Sequence, residues 1–401
     1  MSIEELKKIA IQAIDDKDRQ LFDVNQQIHK NPELSFEEFK AHDVLTNFLE
    51  KEGFQVDRGY FMPTAFRAVF SRGKKGPKMC VLCEYDALPE IGHACGHNLI
   101  AEAGIAAAIG IKAAMESSQN DLGHIVVYGT PAEEGGGGKI KMIKEGCFDD
   151  IDVAMMVHPC PFDAGFVSIL SLMEMTVTYE GKNAHASGYP WEGVNALDAA
   201  VQAYVNISTL RQQFKPSWRV HGVISNGGVK SNIIPSKSQL IYYIRAPSAT
   251  ELKLLKGKCE NCFHSAAQAT GCKVKIEYDV ENIEDCYAAL KNNVHLVHLY
   301  KKNATSLGIK FLPLDEEANL PSGSTDMGNV SWEVPSIHPL YKIDTEAANH
   351  TPEFTNATCT EQAHQQTLIA AKSMAMTTLD ALTNADILRQ IKEEFSKSVN
   401  H

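Results

Sequence analysis

The sequence predicts an α/β protein with a mostly parallel sheet, helices on both faces of that sheet, and a separate inserted α+β domain. Short apolar strands alternate with helices through residues 1–169, which is typical of a parallel sheet buried on both faces. Residues 170–281 follow the order strand, helix, strand, strand, helix, strand, which indicates a ferredoxin-like domain. Helix and strand patterns of the first kind return in residues 282–401. The two outer segments are therefore expected to form one domain.

Composition and charge favour a globular protein that acts on small molecules. The chain has 401 residues and a formal net charge of −12. This charge argues against nucleic acid or an anionic membrane as a partner, because both require clustered Lys and Arg. The N-terminal residues lack the apolar core of a signal peptide, and no run of about 18 apolar residues is apparent. Ten cysteines are too few for a disulfide scaffold, so a cytoplasmic location is expected.

The first segment opens with helices that carry their own start signals. Ser2 and Glu5 predict a capping box at the first helix, and Ser35 and Glu38 predict another before "FKAHDVLTNFLEKEGF". Apolar runs then predict strands at "FRAVFS", "KMCVLCEY", "HIVVYGTP" and "DVAMMVHP". Between these strands, "LIAEAGIAAAIGIKAAM" and "GKIKMIKEG" predict helices. Parallel strands end at one edge of a sheet, and ligands are expected to bind there.

The central segment contains the six elements of the inserted domain. Its strands are predicted at "LSLMEMTVTYEG", "SWRVHGVISN", "SQLIYYIRAP" and "CKVKIEYD", and its helices begin at "GVNALDAA" and "SATELKLL". Two Cys-x-x-Cys pairs, Cys80 with Cys83 and Cys259 with Cys262, have the spacing of a structural zinc site. The first pair lies in an apolar strand and the second in a helix. Buried core thiols are therefore the favoured interpretation.

Potential metal ligands cluster where the predicted strands end. Cys95 and His97 lie at a loop-to-helix junction, and both side chains suit zinc or a similar divalent ion. Glu133 and Glu134 follow an apolar strand and precede four glycines, which let a substrate approach the backbone closely. Taken singly, each feature is compatible with a packed core histidine or a solvated acidic loop. Their convergence favours one metal site, for which the candidates are Cys95, His97, Glu133, Glu134, His158 and His350.

Motifs along nearly the whole chain resemble peptidase family M20, the metal-dependent amidohydrolases and peptidases of the aminoacylase and carboxypeptidase type. In chain order they are "HKNPELSFEE", "EYDALPEIGHACGHN", "PAEEGGGG", "VHP", "GKNAHAS", "GGVKSNIIPS", "GSTDMGNVSW" and "NHTPEF". They are most similar to the amidohydrolase branch that contains Xaa-Arg and β-alanyl-lysine dipeptidases and p-aminobenzoyl-glutamate hydrolases. The resemblance implies a metal-dependent exopeptidase fold with an inserted lid or dimerisation domain, and a homodimer formed through that domain.

The resemblance also implies roles at the metal site. Two divalent metal ions per subunit, zinc or manganese with cobalt possible in vitro, are expected to activate a water molecule. Glu133 matches the catalytic base, and Asp86 matches an aspartate that orients a metal-binding neighbour. The matching metal ligands are Cys95, His97, Glu134, His158 and His350.

Further roles are implied for residues that would contact the substrate. His185 matches a histidine that stabilises the oxyanion, and in dimeric relatives this histidine reaches across the subunit interface. Asn232 and Arg245 match positions that hold the substrate, and the Arg245 guanidinium suits a carboxylate or a structural ion pair. Ser324, in "GSTDMGNVSW", is a further candidate for substrate binding.

The expected activity is metal-dependent hydrolysis of a peptide or amide bond in a small substrate. The favoured interpretation is a dipeptidase for dipeptides with a basic C-terminal residue, namely Xaa-Arg, Xaa-Lys or β-alanyl-lysine. The alternatives are an N-acyl-amino acid amidohydrolase, a p-aminobenzoyl-glutamate hydrolase, or a catalytically inactive binding protein of the same fold. Two positions depart from the wider family. Glu84 stands where a histidine is usual, and Asn98 stands where many members of the branch have aspartate, so metal identity and metal surroundings stay open.

Overall fold

The computed structural model describes residues 1–280, 282–317, 319–321 and 323–399, and it divides the chain into two compact units. The first unit contains Met1–Ser168 and Leu290–His401, and the second contains Ile169–Ala289. The predicted boundary at residue 281 lies outside the described residues. The second unit continues to Ala289 because the Ala289 N–H donates to Ser171 Oγ at 2.9 Å, in the first strand of that unit.

The helices and strands are numbered in chain order. The helices are α1 (Ile3–Asp15), α2 (Asp18–His29), α3 (Phe39–Lys51), α4 (His97–Ser117), α5 (Gly138–Lys144), α6 (Ala196–Leu210), α7 (Ala249–Thr270), α8 (Val294–Ser306), α9 (Leu314–Glu317), α10 (Met327–Glu333), α11 (Pro352–Ala357), α12 (Glu361–Thr383) and α13 (Ala385–Val399). The strands are β1 (Gln55–Arg58), β2 (Phe66–Arg72), β3 (Lys78–Cys83), β4 (Gly123–Gly129), β5 (Val153–Met155), β6 (His158–Cys160), β7 (Ser171–Glu180), β8 (Arg219–Asn226), β9 (Lys237–Ala246), β10 (Lys273–Tyr278), β11 (Ser336–Ile337) and β12 (Leu340–Lys342).

A six-stranded sheet lies at the centre of the first unit, in the order β1-β2-β4-β3-β5-β11. Strands β4, β3, β5 and β11 run parallel to one another, whereas β1 and β2 form antiparallel pairs. The predicted α/β class with a mostly parallel sheet is confirmed. Because parallel strands share one carboxyl edge, the residues that follow β3, β4, β5 and β11 come together there.

Helix α4 is the central helix of the first unit, and α1, α2 and α12 pack around it. Its alanines and glycines let it approach the sheet closely, since a Cβ atom on Gly104 would lie 2.4 Å from Cys83 Sγ. By length and composition alone α4 could cross a membrane. Most of its residues are buried inside the unit, so here it acts as a core helix.

The second unit contains a four-stranded antiparallel sheet in the order β10-β7-β9-β8, and α6 and α7 pack against it. This order, with its strand-helix-strand-strand-helix-strand sequence, is the predicted ferredoxin-like arrangement. Strand β8 lies at one edge of the sheet, and most of its side chains are exposed.

Two local predictions have different outcomes. The capping box at α1 is confirmed, because the Ser2 N–H donates to Glu5 Oε2 at 2.7 Å and the Glu5 N–H donates to Ser2 Oγ at 3.3 Å. The second capping box is wrong. Helix α3 begins at Phe39, and Glu38, which the pattern places inside the first turn, precedes the helix and points into the protein instead.

The four thiols of the Cys-x-x-Cys pairs are buried, as the sequence pattern favours. None of them belongs to a possible metal-ligand group among the residues that the structure describes. Burial raises the pKa of Cys259 to about 12, which is typical of a core thiol rather than of a metal ligand.

Candidate active site

The turn before α4 places the first two candidate ligands. Gly96 has a φ of +86°, and a Cβ atom there would lie 2.5 Å from Pro159 Cγ, so the turn requires glycine. His97 is fully buried as the first residue of α4, and its Nδ1 lies 3.0 Å from Asp86 Oδ1. A carboxylate at Nδ1 fixes the proton there and leaves Nε2 available for a cation. His97 Nε2 has no hydrogen-bond partner in the described part of the chain.

Asp86 connects two parts of the site. One of its oxygens contacts His97 Nδ1, and the other accepts the Glu134 N–H at 2.9 Å. Although burial acts to raise the pKa of Asp86, the neighbouring His97 holds that pKa below its usual value. The Asp86 carboxylate therefore stays charged and fixes both the imidazole of His97 and the backbone of Glu134.

A buried carboxylate holds the turn that follows β4. Ala132 has a φ of +60°, which is unusual for a residue other than glycine, and its N–H donates to Glu38 Oε1 at 2.9 Å. Glu38 is fully buried and also accepts from Thr64 Oγ1 at 2.8 Å. The glutamate whose spacing predicts a helix cap thus supports the turn that presents Glu133. The motif "HKNPELSFEE" contains Glu38, but nothing in its local pattern connects it with this turn.

His158 lies at the start of β6 and faces Cys95. Its Nδ1 lies 2.8 Å from Pro159 O, which can only accept, so Nδ1 carries the proton. Its Nε2 lies 3.3 Å from Cys95 Sγ. Burial and the neighbouring His97 lower the pKa of His158 to about 4. The ring is therefore neutral near pH 7, which is the form that binds metals.

The last segment of the chain reaches the same site through His350. The His350 backbone has a φ of +67°, and its N–H donates to Ala94 O at 2.8 Å. The side chain is half exposed, and Nε2 lies 3.4 Å from Glu134 Oε1. Backbone and side chain together bring His350 beside Cys95 and Glu134, 255 and 216 residues earlier in the chain by subtraction of their numbers.

Two possible ligand groups share Cys95. The ligand atoms of Cys95, His97 and His158 all lie within 4.8 Å of one another, and the same is true of Cys95, Glu134 and His350. The five predicted ligands therefore lie together. One thiol, three imidazoles and a carboxylate suit zinc or a similar divalent transition metal, and the unpartnered, buried His97 Nε2 fits such an ion.

Glu133 lies at the edge of these groups. It is nearly fully buried, and its Oε2 is 3.8 Å from His97 Nε2. Burial, together with the Glu84 and Glu134 carboxylates, raises the pKa of Glu133 well above its usual value. The carboxylate thus lies beside both ligand groups without belonging to either of the two that contain Cys95.

The predicted substrate-binding residues are dispersed. In the second unit, His185 and Asn232 belong to exposed neighbouring loops, in which the Ala186 N–H donates to Asn232 O at 3.1 Å. Arg245 lies at the far end of β9, opposite Leu172 on the neighbouring strand. The structure therefore does not bring Arg245 to the loops that contain His185 and Asn232.

Two further residues of the first unit belong to the sequence motifs. Ser324 is half-buried in the segment before α10. Asn98 is buried, and its Nδ2 donates to Thr358 O at 3.0 Å, so it joins the start of α4 to the residue after α11. Asn98 therefore supports the local packing of α4 through its amide group.

Known proteins show the same organisation. The peptidase dimerisation domain of family M20 matches residues 167–270. The chain is 48% identical over 403 residues to an Xaa-Arg dipeptidase from Mus musculus, covering 98% of this chain and 93% of that protein. It is 31% identical to a chain of the p-aminobenzoyl-glutamate hydrolase from Escherichia coli (strain K12), covering 94% of this chain and 92% of that one.

A solved structure supports the fold. A Bacillus subtilis protein, described as a dinuclear metal-binding peptidase from the M20 family, has a TM-score of 0.70 to this chain at 17% identity. The similarity covers 92% of this chain and 99% of that one. With its full-length similarity to curated relatives and its cluster of possible metal ligands, the chain is a hydrolase that belongs to peptidase family M20.

Proposed function

We propose that this enzyme is a metallo-dipeptidase that cleaves dipeptides with a basic C-terminal residue, such as Xaa-Arg, Xaa-Lys or β-alanyl-lysine. The observation that carries the proposal is the convergence of five possible metal ligands and Glu133 in one site of the first unit. The preference for a basic C-terminal residue is supported by 48% identity to a protein named Xaa-Arg dipeptidase.

Two divalent ions, zinc or manganese, are the proposed cofactors. Cys95, His97 and His158 would hold one ion, and Cys95, Glu134 and His350 would hold the other. When bound, such ions act as Lewis acids and lower the pKa of a water molecule. The Asp86 carboxylate keeps His97 oriented for this role, because it binds the opposite nitrogen of the ring.

Glu133 is the proposed general base. Its carboxylate would accept a proton from the attacking water and then donate that proton to the nitrogen of the leaving amine. The left-handed turn at Ala132, held by Glu38, directs Glu133 and Glu134 so that one serves as base and the other as ligand. The general base and the ligand thus depend on the same buried support.

A homodimer formed through the second unit is also proposed. Helix α6 exposes Val201, Tyr204 and Val205, which lie on one face because residues three and four apart are neighbours on a helix. The edge strand β8 exposes Val223 and Ile224. Exposed apolar side chains beside an edge strand support pairing between two copies. A cytoplasmic location is part of the same proposal.

The remaining substrate contacts are proposed for four residues. His185 would stabilise the oxyanion, and Asn232, Arg245 and Ser324 would hold the substrate. His185 is exposed, and its Nδ1 accepts the Gly188 N–H at 3.1 Å, which leaves Nε2 available as a donor. These roles would appear as losses of kcat for His185→Ala and as increases in KM for the other three alanine variants.

A substrate panel tests the proposal. The purified protein is stripped of metal, reloaded with Mn²⁺, Zn²⁺ or Co²⁺, and assayed with β-alanyl-lysine, Ala-Arg, acetylated amino acids and p-aminobenzoyl-glutamate. We expect the highest kcat/KM for the dipeptides with a basic C-terminal residue. Hydrolysis confined to the acetylated amino acids or to p-aminobenzoyl-glutamate would replace the dipeptidase by an amidohydrolase. Metal binding without hydrolysis of any member would favour an inactive binding protein.

A further inference from the structure

A fully buried lysine lies between two acidic residues at the edge of the candidate site. Lys139 Nζ lies 2.5 Å from Glu84 Oε1 and 2.6 Å from Asp326 Oδ1, and none of the three side chains is exposed. The Lys139 backbone N–H also donates to Asp326 Oδ2 at 2.9 Å. Lys139 is therefore paired with both carboxylates, and the three residues have no role in the mechanism proposed above.

The cluster of Glu84, Lys139 and Asp326 joins three separate parts of the first unit. Glu84 directly follows β3, Lys139 lies in the first turn of α5 after the four glycines, and Asp326 directly precedes α10. These contacts therefore fix the start of α5 relative to the carboxyl edge of the sheet. The turn that contains Glu133 and Glu134 lies between β4 and α5, so its C-terminal end is held by Lys139.

The carboxylates of this cluster have the spacing of a metal site. Ligand atoms of Glu84, Glu133 and Asp326 all lie within 4.8 Å of one another, and all three residues are buried. Buried carboxylates at such distances repel one another strongly unless a cation or a proton separates them. Here the ammonium of Lys139 supplies the cation. Although burial acts to lower the pKa of Lys139, the Asp326 and Glu84 carboxylates raise it above its usual value.

Building on the function proposed above, we propose that Lys139 is a positioning residue whose ammonium neutralises Glu84 and Asp326 and keeps Glu84 out of the metal coordination. Glu84 stands where the wider family has a histidine, so it could otherwise replace that imidazole as a ligand. Its Oε2 lies 3.5 Å from His97 Nε2, while its Oε1 is bound by Lys139. The proposal makes Glu84 a partner of Lys139 and leaves metal binding to the two groups that share Cys95.

Thermal unfolding of the metal-free protein tests the charge compensation without any assay of activity. We expect Lys139→Met to lower the Tm by about 5 °C or more, because it leaves two buried carboxylates without a cation. In a Glu84→Gln background the same substitution should lower the Tm by less than half as much, because one of the charges is already absent. Equal losses in both backgrounds would overturn the proposal.

Two further variants guard against a failure to fold. If Lys139→Met alone yields no soluble protein, the double variants with Glu84→Gln or Asp326→Asn should restore folded protein, and failure of both to do so would overturn the proposal. Lys112→Met is the matched control. It removes a partly exposed pair with Glu116 in the same unit, and we expect a change in Tm of no more than about 1 °C.

Metal titration tests the second half of the proposal. Mn²⁺ binding is measured by calorimetry and by elemental analysis of the dialysed protein. We expect Glu84→Gln to bind as many equivalents as the unmodified protein, with a Kd within about threefold, since Glu84 is not a ligand. Loss of one equivalent would overturn the proposal. If the unmodified protein binds no metal, the proposed function fails, while the unfolding experiment still measures the compensation by Lys139.

Discussion

Replacing Gly104 by alanine should loosen the contact between α4 and β3 on which the site is built. A Cβ atom at this position would lie 2.4 Å from Cys83 Sγ and 2.9 Å from Leu82 O, whereas ordinary contacts between such atoms are about 3.5–4 Å. The sulfur can shift, but the backbone oxygen of a central strand cannot. The helix or the strand must therefore move by several tenths of an ångström.

Two opposing effects set the size of the loss. Alanine is favoured over glycine within a helix by about 1 kcal/mol. Overpacking of a close-packed contact typically costs about 1–3 kcal/mol, and a contact with a fixed carbonyl belongs at the upper end of that range. We therefore expect Gly104→Ala to lower the free energy of unfolding by about 1–2 kcal/mol. The movement would also separate His97 from Asp86, so metal affinity should fall with stability.

Gly257→Ala is the matched control, because Gly257 lies within α7 and a Cβ atom there meets no other atom within 4 Å. This substitution should raise the stability of the second unit by up to about 1 kcal/mol. Urea unfolding of the metal-free variants, followed by circular dichroism and fitted with one transition for each unit, measures both effects. A Gly104→Ala variant as stable as the unmodified protein would refute the close contact between α4 and β3.

Other variants address the chemistry and the core. Glu133→Gln should lower kcat by about 10²- to 10⁴-fold with metal content unchanged, and loss of metal instead would exchange the roles of base and ligand. Asp86→Asn should weaken metal binding by about 10- to 100-fold in a titration, because His97 loses its orienting carboxylate. A chelator should abolish turnover and lower the Tm, and added Mn²⁺ should reverse both. Lys7→Met should cost about 3–5 kcal/mol in urea unfolding, since it leaves the buried Asp380 without its cation, and Lys7→Met with Asp380→Asn should recover part of that loss.

The parts of the site that lie at strand ends can be predicted from the sequence. Apolar strands that alternate with helices imply a parallel sheet, and the residues after such strands share one edge. This reasoning is enough to group Cys95 and His97 with Glu133, Glu134 and His158. It cannot place His350, because nothing in its local pattern indicates which edge of the sheet its loop reaches. Only the family resemblance connects His350 with the others.

Contacts between distant parts of the chain explain what the sequence does not reveal. Glu38 fits the local pattern of a capping box, yet its carboxylate binds the Ala132 N–H, which lies 94 residues away. Lys139 and Asp326 are 187 residues apart, and each alone is compatible with an exposed, solvated side chain. A local pattern records the helix or strand to which a residue belongs. It does not record which distant group a buried charge will meet.

The division of the first unit into two segments has a consequence for synthesis on the ribosome. Residues 169–289 form a continuous stretch whose own core closes without the rest of the chain, so this unit has all its contacts as soon as it leaves the exit tunnel. Helix α4, by contrast, must wait for α12 to cover its apolar surface. The nascent polypeptide therefore exposes a sticky helix for more than half of translation, and it acquires its hydrolytic centre only when the segment that carries His350 has emerged.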